Sequence, residues 1–423
     1  MKSNSQLSTV NYQLPKGWEI KKLKDIGDIF NGNSINAKVK KEKYSHLADG
    51  LPYIATKDIS FESKIDYENG IKIPYEEKAS FKVAKKNTIL ICAEGGSAGR
   101  KIGFTEQNVC FGNKLFALST KVNIVSRFVY YYYFSAIFQK DFTKQLTGII
   151  GGVSMGKFKQ IQIPIPPLPE QKRIVAILDR AFEAIDKAKA NAEQNLKNAK
   201  ELFENYLQDV LSDKKWKIVK LGDVCNKVEY GSSSKSKEEG EIPVLRMGNI
   251  QNGRFTWDNL KYSDNKEDNE KYLLKYNDVL FNRTNSPELV GKTAIYKGER
   301  PAIFAGYLIR VYRKKDLLDA DYLNYYLNSR IAKEYGNTVV ISSVNQANIN
   351  GTKLKTYPIP LPSLKEQQQI VEELDKLTEE TKKIEAIYQK KIEDLEELKK
   401  SVLQKAFSGQ LTIDNGQLIM DNR

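Results

Sequence analysis

Residues 164–179 read PIPPLPEQKRIVAILD, and residues 360–375 read PLPSLKEQQQIVEELD. Without any gap, Pro166, Leu168, Glu170, Gln171, Ile174, Val175, Leu178 and Asp179 meet Pro362, Leu364, Glu366, Gln367, Ile370, Val371, Leu374 and Asp375. A repeat this long marks a duplicated structural unit. The same offset carries Glu201, Leu207, Gln208 and Ser212 onto Glu397, Leu403, Gln404 and Ser408, and upstream it carries Lys157 and Lys159 onto Lys353 and Lys355. Further upstream the offsets shift, but GWEIKKLKDI around Trp18 still parallels KWKIVKLGDV around Trp216, and LPYIATKDI parallels IPVLRMGNI. The chain therefore reads as variable domain, constant helix, variable domain, constant helix. We place the domains at 1–163 and 213–359, the helical regions at 164–212 and 360–409, and a tail at 410–423.

Each helix announces its start. Pro169 suits a first helical turn, and Ser363 with Glu366 forms a capping box. No proline or glycine then intervenes before Gly222 in the first copy or Gly409 in the second, so roughly forty residues at 1.5 Å each predict a rod of about 60 Å. Apolar residues recur at alternating spacings of four and three, as in Ile174, Leu178, Ala181, Ile185, Ala188 and Ala192 or Ile370, Leu374 and Leu377. The seam positions taken are Leu178, Ile185, Ala192 and Leu202 in the first copy and Leu374, Ile384, Leu395 and Leu398 in the second. A narrow seam of this period needs a partner helix. Its nearest candidate is the other copy, which predicts an α+β chain whose two long helices pair as an antiparallel coiled coil with pseudo-two-fold symmetry.

Charge separates the parts. The chain carries +14 over 423 residues. Between Glu170 and Leu211 stand seven basic and eight acidic residues, and between Lys365 and Phe407 nine and eleven. The helices are near neutral, and everything else holds +17. Such an excess in a duplicated pair of domains fits two faces for a polyanion, nucleic acid foremost.

Within the domains, strand-like runs alternate with Gly-rich turns. ICAEGGSAGRKIGF sets Arg100 and Lys101 beside glycines that let backbone approach a phosphate or groove edge, and FNRTNSPELVGKTAIY offers Asn282, Arg283, Asn285 and Lys292 in the matching place. Lys57, Arg246 and Asn249, in the paired LPYIATKDI and IPVLRMGNI segments, complete the candidates. Arg can pair with guanine and Asn with adenine through two hydrogen bonds. Tyr130 to Tyr133 point all round one helix and read as core with hydroxyls at the rim.

Other chemistry is poorly supported. His46 is the only histidine, and Cys92, Cys110 and Cys225 have no metal-ligand spacing. Gly151 to Lys157 lacks the Ser/Thr of a nucleotide loop, and Ser286 to Thr293 lacks its first glycine. No run of eighteen apolar residues occurs and the N-terminal residues have no signal-peptide core, so the expected location is the cytoplasm, with no membrane partner.

On the duplicated P-x-P-P-L-P-E-Q type segment at Pro164 to Gln171 and Pro360 to Gln367, the long helices after it, and SGQLT at Ser408 to Thr412, the chain resembles the specificity subunits of type I restriction-modification systems. The resemblance covers nearly the whole length. It implies two target recognition domains reading the halves of a split site in double-stranded DNA, and two adenine methyltransferase (modification) subunits docked around the helices. It also implies that restriction subunits can join, that S-adenosylmethionine and ATP with magnesium belong to partners, and that this chain carries no cofactor and no catalysis. Residues alone leave one alternative, a freestanding DNA-binding regulator whose duplicated halves imitate a dimer.

Overall fold

In this computed structural model, residues 14–148, 151–343, 346–411, 413–414 and 417–418 are described. Thr412 of the SGQLT segment lies outside them. The chain packs as two units. One comprises residues up to 191 together with those from 391 onward, the other residues 192–390. Each thus holds one globular domain, the near half of the helix that follows it, and the far half of the other long helix.

In the first unit a four-stranded antiparallel sheet runs in the order Gly27–Asn31, Leu115–Thr120, Ile89–Cys92, Ile102–Phe104. A second sheet pairs Leu51–Ile54 in parallel with Val109–Phe111. The second unit repeats both frames: Cys225–Tyr230, Leu308–Arg313, Val279–Asn282, Thr293–Ile295, and Ile242–Leu245 parallel to Ile303–Phe304. Alternating and fully buried apolar strands such as ILIC and VLFN fill the cores between sheet and helices.

The distant parts of the repeat meet in space. Glu19–Lys22 pairs antiparallel with Gln162–Ile165, and Lys217–Lys220 with Pro358–Leu361. The tryptophan-led segment and the proline-led segment are therefore two strands of one clasp, which delivers the chain to the long helix.

The helices span Leu168–Leu211 and Leu364–Phe407, 44 residues each, or about 66 Å. The capping box at the second is formed: the Glu366 carboxylate accepts from the Ser363 N–H at 2.9 Å, and the Glu366 N–H donates to Ser363 Oγ at 3.4 Å. Gly409, at φ 75°, takes the left-handed conformation that ends the helix, and a Cβ there would strike Pro15. Within the first unit the helices run antiparallel: Lys189 pairs with Glu396 at 2.6 Å and Asp186 with Lys399 at 2.9 Å. Within the second, Tyr206 Oη donates to Glu373 at 2.5 Å.

The tail of each helix also seals the core at the other end of the repeat. Val402, Leu403, Ala406 and Phe407 join the first unit's core, where the Phe407 ring meets Phe128 and Tyr132 edge-on. Leu207 and Leu211 join the second unit's core. Of the expected seam, Leu178, Ile185, Ala192 and Leu374 are buried, and Leu395 and Leu398 pack half-buried on the first core. Leu202 and Ile384 do not fit: they are 55% and 39% exposed. The buried stripe keeps a seven-residue spacing through Leu178, Ile185, Ala192 and Ala199 on one helix and through Leu374 and Thr381 on the other, and Leu202 and Ile384 lie three residues past it on the exposed flank.

Candidate nucleic-acid interface

Two buried glutamines explain why the repeated segment ends in Glu-Gln. The Gln171 side chain accepts from the Val125 N–H at 2.8 Å and donates to the Pro166 carbonyl at 2.9 Å. Gln367 does the same to the Asp319 N–H (2.8 Å) and the Pro362 carbonyl (2.9 Å), and also reaches the Leu317 carbonyl at 2.8 Å. Each ties the start of a long helix to the start of its domain's aromatic helix, Ser126–Tyr132 or Ala320–Asn328. Two turns along the long helix, Tyr131 donates to Asp179, and Tyr325 to Asp375 at 2.5 Å. Tyr131, Tyr132 and Tyr133 are buried and Tyr130 is half-buried. This aromatic helix faces core and long helix.

On the first domain, three candidates from two separate stretches gather. Lys57 is exposed on the short 3-10 turn Thr56–Asp58. Lys101 Nζ donates to the Thr56 carbonyl at 3.1 Å, and Arg100 donates to the Gly96 carbonyl. Both cations lie over the Phe61 ring, at 5.3 Å for Arg100 and 5.1 Å for Lys101. Phe61 itself is 56% exposed. An exposed ring against two cations presents an apolar surface within a basic patch; such a surface can stack on a base or press into a groove. Sequence reasoning missed it, because a lone phenylalanine in SFES carries no periodic signal. Nearby, Tyr53 donates to the Asn33 carbonyl at 2.7 Å, and burial foremost, with Cys110 and Asp58 adding, pushes its phenol up to about 12. It stays a protonated donor at neutral pH.

The second domain arranges its candidates differently. Arg283 is half-buried with its guanidinium 4.8 Å from the Tyr230 ring, and Arg246 donates to the Asn259 carbonyl at 2.8 Å. The Nε–H of each is buried with no hydrogen-bond partner in the protein. Asn285 is half-buried and accepts from the Ser286 N–H at 2.9 Å, and Lys292 is half-buried just ahead of Thr293–Ile295.

Two candidates must be withdrawn as base readers. Asn249 is buried because its carboxamide pins the 247–249 turn: it accepts from the Arg246 N–H at 3.0 Å and donates to the Thr256 and Asp258 carbonyls at 3.2 and 3.0 Å. Asp58 performs the same capping at the Ala55 N–H, 2.8 Å away. Asn282 is fully buried at the end of a central strand, with its amide turned to the Leu289 carbonyl and the Thr284 N–H. In the first domain Cys92 occupies that register position.

The two frames can be matched residue by residue. Ala93 N–H bonds the Lys114 carbonyl as Arg283 N–H bonds that of Tyr307, so Ala93 answers to Arg283 and Lys114 to Tyr307. Matching positions thus carry different chemistry: Ala93 is buried where Arg283 is half-buried, and Lys114 and Tyr307 are both exposed. Lys101 and Lys292, each just before the sheet's edge strand, are the candidates shared by both domains.

Known proteins agree with this architecture. The family model for the type I restriction modification DNA specificity domain matches twice, at residues 15–197 and 213–394. The EcoKI specificity subunit of Escherichia coli K12 is 26% identical over 95% of this chain and 90% of its own length. The MjaVIII specificity subunit of Methanocaldococcus jannaschii is 26% identical over 95% of each. Among solved structures, a chain from a study of complex assembly and conformational transition of the type I R-M system superposes with a TM-score of 0.76, and the HsdS subunit of Thermoanaerobacter tengcongensis with 0.57. Each is 20% identical and covers 95% of this chain, with 100% and 99% of its own length matched. Those likenesses concern the fold, and the two family matches add the lineage: the chain belongs to the type I restriction-modification DNA specificity family.

Proposed function

We propose that the chain reads a bipartite DNA target, one half with each recognition domain, while the paired helices fix the distance between the halves. The observation that carries this is one frame built twice with unlike side chains at matching positions, Ala93 and Lys114 against Arg283 and Tyr307. Specificity subunits of type I systems bind DNA and assemble with methyltransferase and restriction subunits. They are the non-catalytic part of such complexes. Here two adenine-methylating modification subunits dock along the helices and bring S-adenosylmethionine. Restriction subunits, when present, bring ATP and magnesium, and assembly takes place in the cytoplasm. Among the described residues no helix is long and apolar enough to cross a membrane.

Two results test the halves and the ruler. Arg283→Ala should relax base preference at one position of the second half-site, costing about 1–3 kcal/mol of discrimination there, and leave the first half unchanged. A uniform loss over both halves in methylation-site mapping would reduce Arg283 to a phosphate contact. Inserting four residues into both helices lengthens the rod by about 6 Å, and the preferred spacer should grow by one or two base pairs at about 3.4 Å each. An unchanged spacer refutes the ruler.

A further inference from the structure

The first recognition domain has a second polar feature at Thr56, whose carbonyl accepts from Lys101. A cleft of about 150 Å³ opens between the short helix Ala37–Lys43 and the turn that joins Val109–Phe111 to Leu115–Thr120. Its polar lining is Ser34, Lys40, Tyr53, Thr56, Asn113 and Lys114, and no carboxylate lines it. The Lys40 ammonium stands 4.8 Å from the Tyr53 ring centroid, held over the floor, and Lys114 is exposed on the turn opposite. With Lys57 and Lys101, four lysines surround one 3-10 turn. The turn's own acid, Asp58, is already engaged with the Ala55 N–H and with Lys57 at 3.6 Å.

This donor set fits one ligand chemistry. Lysines are compact point charges suited to phosphate oxygens, and short hydroxyl and amide side chains are ordinary partners of the same oxygens. In the second domain Val244 stands at the register position of Tyr53, and Tyr307 at that of Lys114, so this lysine-lined combination belongs to the first domain. We propose that the cleft seats a backbone phosphate of the DNA beside the first half-site, gripped by Lys40 and Lys114, leaving Lys57 and Arg100 for the bases. The proposal rests on the DNA-reading function given above.

The test uses the full chain in its assembled complex, with DNA binding titrated against salt for the wild type, Lys40→Gln, Lys114→Gln and the double variant. Each lysine that neutralises a phosphate contributes about 0.9 to the slope of log affinity against log salt. Each single variant should therefore lower the slope by about one and the double by about two, with the methylated motif unchanged, and Lys→Arg at both sites should restore the slope. A wild-type slope in the double variant overturns the proposal. So does a changed base preference at the first half, which would make these lysines base readers, or tight retention of free inorganic phosphate that leaves the DNA slope untouched. A wild-type complex with no preference for its motif would instead sink the DNA reading itself.

Discussion

Arg310→Ala is expected to destabilise the second unit by about 3–5 kcal/mol, a large share of the roughly 5–15 kcal/mol that holds a domain folded. Arg310 is buried at the centre of the main sheet, bonded to Glu229 at 2.7 Å, to Asp278 at 2.9 Å and to the Leu273 carbonyl at 2.9 Å, with Tyr312 also donating to Glu229 at 2.8 Å. Removing the cation leaves two largely buried carboxylates facing each other. Ala117 holds the corresponding position opposite Leu90 in the first unit, as Arg310 does opposite Leu280, so the fold does not require a charge there. Neutralising both acids, with Glu229→Gln and Asp278→Asn beside Arg310→Met, should recover most of the loss. Chemical denaturation measures it; a drop below about 1 kcal/mol for Arg310→Ala would show the network to be solvated.

The same network sets an acid limit. Burial pushes the Glu229 carboxyl up, but hydrogen bonds from Arg310, Tyr312 and Lys227 outweigh it and hold the group below the usual carboxylate range. A depressed folded pKa contributes stability that is fully present above the unfolded value of about 4.3 and is lost as pH falls through the lower folded value. The second unit should thus weaken on the acid side of about pH 4, and Arg310→Ala should abolish that particular dependence.

Gln171→Leu and Gln367→Leu should each cost about 2–4 kcal/mol, since a buried N–H and at least one buried carbonyl lose their partners at about 1–3 kcal/mol per group. Their effect on reading should be local. With the joint between domain and helix loosened, the Gln171 variant should blur spacer length and base preference on the first-half side, and the Gln367 variant on the second. Glutamate at either position keeps the acceptor for Val125 or Asp319 but buries a carboxylate oxygen against the Pro166 or Pro362 carbonyl, and should cost at least as much as leucine. Thermal unfolding reads the stability, and methylation-site mapping the register. Equal damage to both halves by either variant contradicts the assignment.

Much of this was legible in the repeat. Gln171 and Gln367 stand out at once as matched residues, and the Ser363 cap and the stop at Gly409 follow from local chemistry that does not depend on distant partners, whereas the proline-led strands do depend on them and were not read. Seam positions near helix starts were readable for the same reason. Leu202 and Ile384 were not, because there the buried position of the heptad falls on the small or polar Ala199 and Thr381, three residues earlier, and leaves the larger apolar side chain on the exposed flank. Asn249 and Asn282 misled because side-chain direction in a short strand or turn is set by pairing register, which composition does not reveal: the same residue type serves a base edge or a backbone amide equally well. Phe61 was invisible until the fold brought Arg100 and Lys101 over its ring.

The most direct test of a chain that reads two half-sites is a map of methylated adenines in cells carrying the complex, in cells lacking this chain, and in cells whose chain has residues 213–359 exchanged for those of a relative. We expect a bipartite motif with an unread spacer, lost without the chain and altered by the exchange in its second half only. One continuous motif, or a change in both halves, would contradict the account.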